Sequence, residues 1–153
     1  MALRRLQDRP RILEIAYVAT LAALRLFRNR LNPEGVVQKV FVPGERVTKG
    51  LIFDCKMCGD CVLHNTGMTC PMTCPKNLRN GPCGGVRLNG NCEIVPDMQC
   101  VWVAAWERSQ KMPRFGSGIH EVLAPTDRRL ENTSSWINDI SPDVTKRPIG
   151  WAE

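Results

Sequence analysis

The chain has 153 residues and a formal net charge of +6, enough for one compact domain with tails and too short for a second domain with its own core. No alternating βαβ pattern and no glycine-rich phosphate loop occurs, which argues against a self-contained nucleotide or flavin site. Basic start, apolar core and small-residue cleavage site do not follow one another at the N-terminus, so the expected compartment is the reducing cytoplasm, where clustered cysteines point to metal rather than to disulfides.

Arg4, Arg5, Arg9 and Arg11 precede an apolar run over residues 12–27 in which only Glu14 and Arg25 are charged. Its many Leu and Ala residues predict a helix that stops near residues 28–31, ahead of Asn32-Pro33 and Gly35. Ile12, Ile15, Ala19, Ala22 and Leu26 form one apolar face while Leu13, Tyr17, Leu21 and Leu24 cover another. A helix apolar on so many sides is expected to be buried, first against a partner subunit, next in this chain's own core, and last on a membrane surface, since the uncharged stretch is too short to span a bilayer. The segment VVQKVFVPGERV at 36–47 reads as a β-prone edge strand or extended linker closed by Pro43-Gly44, delivering an apolar cap, Leu51-Ile52-Phe53, to the first cysteine.

All eight cysteines, at 55, 58, 61, 70, 74, 83, 92 and 100, lie in the next stretch. Between Cys61 and Cys92 the density of Gly, Pro and Asn excludes long helices or strands, which leaves loops for metal to hold together. A second helix is expected after Pro96 with Asp97 as its cap and Met98, Val101, Trp102, Ala105 and Trp106 as its apolar face. Cys100 falls in its first turn, where the helix dipole favours a thiolate. Residues 112–153 show no sustained periodicity, yet they carry Trp136, Ile137, Ile140, Ile149 and Trp151. That composition describes an arm laid along another protein. The fold class expected is therefore a small, irregular, metal- or cluster-stabilised domain of ferredoxin-like cysteine loops at 54–111. A helix at 1–35, an extended linker at 36–53 and an extended arm at 112–153 flank it.

The spacing C-x₂-C-x₂-C at Cys55, Cys58 and Cys61 is the discriminating feature. Three thiolates two residues apart wrap three corners of an iron–sulfur cubane, and a remote cysteine, commonly followed by proline, completes the set. Cys70-Pro71 and Cys74-Pro75 both have that dipeptide. Eight ligands fit two [4Fe–4S] clusters, with one cluster plus zinc, or zinc alone, as alternatives. A working pairing puts Cys55, Cys58, Cys61 and Cys100 on one cluster and Cys70, Cys74, Cys83 and Cys92 on the other, although spacing alone does not settle it. Two such clusters, each at roughly −2 with its thiolates, would bring the chain's charge down to about +2. Gly59, Gly67, Gly81, Gly84 and Gly85 lie among the ligands, where backbone amides can approach sulfur. Lys56, Lys76, Arg79 and Arg87 read as counter-charges or a docking rim as readily as solvated residues. His64 is a weaker candidate ligand, and neither it nor His120 has a catalytic companion. A nucleic-acid-binding zinc module is disfavoured because the basic residues are spread out and the histidine spacing of known fingers is missing.

The motifs DCKMCGDCVL at 54–63, TCPMTCPKNLRNGPCGGV at 69–86 and GNCEIVPDMQCVWVAAWER at 90–108 resemble the C-terminal domain family of methylenetetrahydrofolate reductase. The likeness is closest to the small iron–sulfur subunit that accompanies a flavin-bearing reductase in some bacteria. It covers about a third of the chain. It implies a two-protein enzyme in which a flavin-containing TIM-barrel subunit converts 5,10-methylenetetrahydrofolate to 5-methyltetrahydrofolate. The cysteine-rich partner then relays electrons, from a further redox protein or back to one, or else only scaffolds the complex. The family's cysteines map onto Cys55, Cys58, Cys61, Cys70, Cys74, Cys83, Cys92 and Cys100. No cysteine is left for a separate zinc site.

Overall fold

The computed structural model describes residues 3–27 and 36–141, and over these the fold is helical. A short 3-10 turn, Leu3–Asp8, leads into helix α1, Pro10–Leu26, whose proline stands in the first turn where its missing N–H costs nothing. The expected helix is there, and within this chain one side of it is covered. Pro10, Leu13, Glu14 and Leu21 face inward, while Ile12, Ile15 and Leu26 are 48%, 70% and 84% exposed. The buried Glu14 carboxylate accepts the amides of Arg114 (3.0 Å) and Phe115 (2.8 Å), which fixes α1 to a turn a hundred residues away.

Helix α2, Val36–Phe53, replaces the extended linker or edge strand expected at 36–53. The reason is visible in its inward stripe. Phe41 is half-buried, Glu45, Lys49 and Phe53 are buried, and their spacing of four is helical. Two of those positions are charged, so the helical period is invisible to a hydrophobicity reading, and valines with Pro43-Gly44 push the reading towards strand. Pro43 lies inside the helix and is exposed together with Gly44. An interior proline costs about 3 kcal/mol, and packing of the opposite face offsets that cost.

The main core joins Leu13, Phe53, Leu63, Met68, Cys70 and Met112, with Leu6, Tyr17, Ile52 and Phe115 against it. The loop at 62–70 is part of this core. Met68 is 1% exposed, and the Thr66 hydroxyl bonds both Val62 O (2.9 Å) and Thr69 O (2.7 Å). This part of the cysteine region builds a fold with its own side chains.

Helix α3 is Val101–Ser109, with Cys100 rather than Asp97 at its cap. Residues 96–99 are diverted into a small hairpin. Asn91 and Gln99 form an isolated antiparallel bridge, Cys92 N donates to Met98 O (2.9 Å), and Cys100 N donates to Gly90 O (2.9 Å). Trp102 and Ala105 pack inward as expected, whereas Trp106 is 49% exposed and meets His120 edge to face.

The arm is not extended over its described part. It holds 3-10 turns at Gly116–His120 and Arg128–Leu130 and a last helix, α4, Ser135–Ile140, capped by the Ser134 hydroxyl on Ile137 N. Ser134 and Ile137 are fully buried. The segment has too few apolar residues to form a core of its own, and it obtains one by docking on α1 and the first cysteine loop. Ile149 and Trp151 lie outside the described residues.

Candidate metal centre

Four cysteines, Cys55, Cys58, Cys61 and Cys70, line one cavity with Glu45, Met57, Arg79 and Ser135. Helix α2 delivers Cys55, whose amide donates to Lys49 O (3.4 Å). The loop then turns through left-handed backbone at Asp54, Met57 and Gly59. Gly59 is obligatory there, since its φ is +72° and a Cβ would stand 1.9 Å from Leu130 O. The C-terminal segment holds this loop from outside. Asn132 N donates to Met57 O (2.8 Å), and the buried Asn138 amide donates to Gly59 O (2.8 Å).

Burial pushes the Cys55, Cys58 and Cys70 thiols up, Cys70 to about 12, and the Met57 amide on Cys55 sulfur (3.4 Å) works in the opposite direction. A ligand that binds thiolates here must displace their protons.

Cys74, Cys83, Cys92 and Cys100 line a second cavity with Lys76, Val86, Glu93 and Trp102. Cys74 ends the 3-10 turn Pro71–Thr73, so the two sets are joined by a single turn of chain. The hairpin bonds described above place Cys92 and Cys100 side by side, and Trp102 is pinned by its indole N–H on Leu78 O (3.2 Å). Gly85 N donates to Cys83 sulfur (3.4 Å), Cys83 sulfur donates to the Glu93 carboxylate (3.6 Å), and Lys76 pairs with that carboxylate. Cys83 is exposed, in contrast to the buried Cys70.

The eight cysteines thus divide four and four, but not in the working pairing: Cys70 and Cys100 exchange places. Cys70 stays with the first loop because the 62–70 turn folds directly back on it, Met68 N donating to Leu63 O (2.8 Å). The hairpin keeps Cys100 with Cys92. His64 lines neither cavity. Its Nδ1 lies 3.1 Å from the Tyr17 hydroxyl and its ring stacks on Tyr17, with burial lowering its pKa. Gly81 and Gly84 have open space around them.

Three residues in or beside the first cavity, Glu45, Lys49 and Ser135, escape a sequence reading, whereas Arg79 is expected from the sequence as a counter-charge or docking residue. Arg79 bonds the Asp60 carboxylate (2.7 Å) and Ala124 O (2.8 Å) and so links both cysteine loops to the arm. Glu45 and Ser135 line the cavity, and Lys49, outside that lining, bonds both in one buried polar group. Only the four-residue interval between Glu45 and Lys49 hints at it in the sequence.

Each cavity has only about 20 Å³ of free volume, and among the described residues no three His, Cys, Asp or Glu side chains converge on one point as for a single metal ion. The donor chemistry fits an iron–sulfur core, with four thiols per cavity and an amide on a sulfur in each.

Comparison of the chain with curated proteins and with solved structures gave no significant match. A family model described as methylene-tetrahydrofolate reductase C terminal matches residues 35–129, more than half of the chain and all eight cysteines. The match begins at the residue before α2 and takes in both cavities, so it spans the segment whose geometry is described above. On that match the chain belongs to the methylene-tetrahydrofolate reductase C-terminal family.

Proposed function

We propose that the protein is the iron–sulfur electron-transfer subunit of a methylenetetrahydrofolate reductase complex. It works beside a separate flavin-containing TIM-barrel subunit that converts 5,10-methylenetetrahydrofolate to 5-methyltetrahydrofolate. The observation that carries the reading is the division of the cysteines into two cavities of four, the donor complement of two [4Fe–4S] clusters. Bound there, such clusters would supply one-electron transfer, while hydride chemistry would stay with the partner's flavin.

The chain's own residues have separable tasks in this reading. The Met57 and Gly85 amides donate to sulfur in the first and second set respectively, a recognised lever on reduction potential. Cys70 is buried in the main core beside Leu13, Phe53 and Met68, and the exposed Cys83 edge is the side from which an electron partner would reach the chain. The apolar outer face of α1, with Ile12, Ile15 and Leu26 exposed, supports a contact with the reductase subunit. No helix among the described residues is long and apolar enough to cross a membrane, and a cytoplasmic placement is part of this proposal.

Oxygen-free co-purification with the flavin subunit tests the reading. About eight iron and eight acid-labile sulfide per chain are expected, four of each per cluster, with visible absorbance that dithionite bleaches and the flavin restores. One or two zinc ions and no sulfide would replace it with a scaffold subunit whose metal only fixes the loops.

A further inference from the structure

The wall of the first cavity carries a charged group that ligation does not explain. Lys49 and Glu45 are 5% and 4% exposed. The Lys49 ammonium donates to Glu45 Oε1 (2.7 Å) and Ser135 Oγ (2.6 Å) and lies 4.6 Å from the Trp136 ring centroid. The Glu45 carboxylate also accepts from Ser134 Oγ (2.5 Å), Ser135 N (3.2 Å) and Ser135 Oγ (2.6 Å). Glu45 and Ser135 face the same space as the four sulfurs of Cys55, Cys58, Cys61 and Cys70.

A buried ion pair is a poor means of gaining stability, because apolar residues of equal volume stabilise as well or better. Its value here is electrostatic. The Lys49 ammonium is held by the Glu45 carboxylate and the Ser135 hydroxyl, partners that keep it charged inside the fold. Glu45 lines the cavity itself and Lys49 is bonded directly to it, so both charges face the sulfurs' surroundings with little screening by solvent.

We infer that Lys49 and Glu45 form a two-sign charge control on the first cysteine set, the ammonium favouring and the carboxylate opposing the extra negative charge that one-electron reduction places there. They are positioning residues, acting through the ligands and not on substrate. The second set has no such group on its wall; its ion pair, Lys76 with Glu93, is more than a third exposed on both sides and screened by water. The two sets therefore differ in potential for a reason outside their ligands.

This inference rests on the iron–sulfur reading, and the test separates the two. Redox titration of the co-purified complex, followed by electron paramagnetic resonance of each cluster, is applied to wild type, Lys49→Met, Glu45→Gln, Lys49→Arg and the Lys49→Met/Glu45→Gln double variant. Lys49→Met is expected to make one cluster at least tenfold harder to reduce, about 59 mV for one electron. Glu45→Gln is expected to move the same cluster in the opposite direction, with the double variant near wild type and the other cluster unmoved in all. Lys49→Arg keeps the charge and is expected to keep the potential, which guards against a folding defect in the methionine variant. Damage to packing would not invert sign between two neighbouring substitutions. Equal potentials in all variants, or shifts of the same sign, would overturn the charge control while leaving the clusters in place. Wild-type protein without iron would instead overturn the reading beneath it.

Discussion

Arg79 and Asp60 join the two cysteine loops through one ion pair, guanidinium to carboxylate at 2.7 Å, with the Arg79 side chain 9% exposed. The same guanidinium bonds Ala124 O (2.8 Å) and stands beside Thr126 Oγ1 (3.4 Å), so three segments meet on one planar group. A lysine cannot reproduce that fork. Arg79→Lys is therefore expected to lose nearly as much stability as Arg79→Ala, about 2 kcal/mol, read from urea midpoints at constant slope. Wild-type stability in the lysine variant would show that charge alone suffices.

Gly59→Ala should be among the most damaging single changes in the chain. The backbone is left-handed and the added Cβ meets the Leu130 carbonyl, a backbone atom that cannot swing away. A loss of at least about 3 kcal/mol is expected, with proteolysis first in residues 121–134. Gly81→Ala, which has left-handed backbone but open space, should cost about 1 kcal/mol. Equal losses at the two glycines would contradict the close approach.

The grouping of the cysteines can be read from metal content. Replacing Cys55 and Cys70 together by serine removes two ligands from one set, and about half of the iron should remain. Replacing Cys55 and Cys100 together takes one ligand from each set, and both clusters should be lost or converted to incomplete forms. The reverse pattern would restore the pairing in which Cys100 serves the first set.

His64 makes stability depend on acid. Burial holds its folded pKa below the ordinary value near 6.5, so the unfolded chain takes up the proton first. The contribution is fully present above that value and is lost as pH falls through it towards the lower, folded pKa. Unfolding free energy should therefore decline below about pH 6.5, and His64→Gln, which can still bond the Tyr17 hydroxyl, should flatten the decline. An unchanged slope in that variant would assign the effect to carboxylates.

The grouping of the cysteines was legible in part because their crowding between residues 55 and 100 survives any error about backbone. The first helix was equally plain from its leucines and alanines. Other parts were hidden for identifiable reasons. Helix α2 turns Glu45 and Lys49 inward, which breaks the apolar period that would have announced it. The hairpin at 90–100 rests on backbone bonds such as Cys100 N to Gly90 O, which no side chain advertises. Those bonds also decide that Cys100 belongs with Cys92, a choice that the interval between cysteines leaves open. The C-terminal segment looked coreless because its partners, Gly59 and Met57, are some 75 residues upstream.

That clasp has a bearing on biosynthesis. A ribosome releases the first four thiols well before it releases Asn132 and Asn138, the residues that later fasten the 57–59 loop from outside. On the iron–sulfur proposal, a maturation factor would reach the pocket during translation, and completion of the segment would close it. Repairing a damaged first centre in the finished protein would require that strap to be peeled away, whereas the Cys83 edge remains open to renewal throughout the molecule's lifetime.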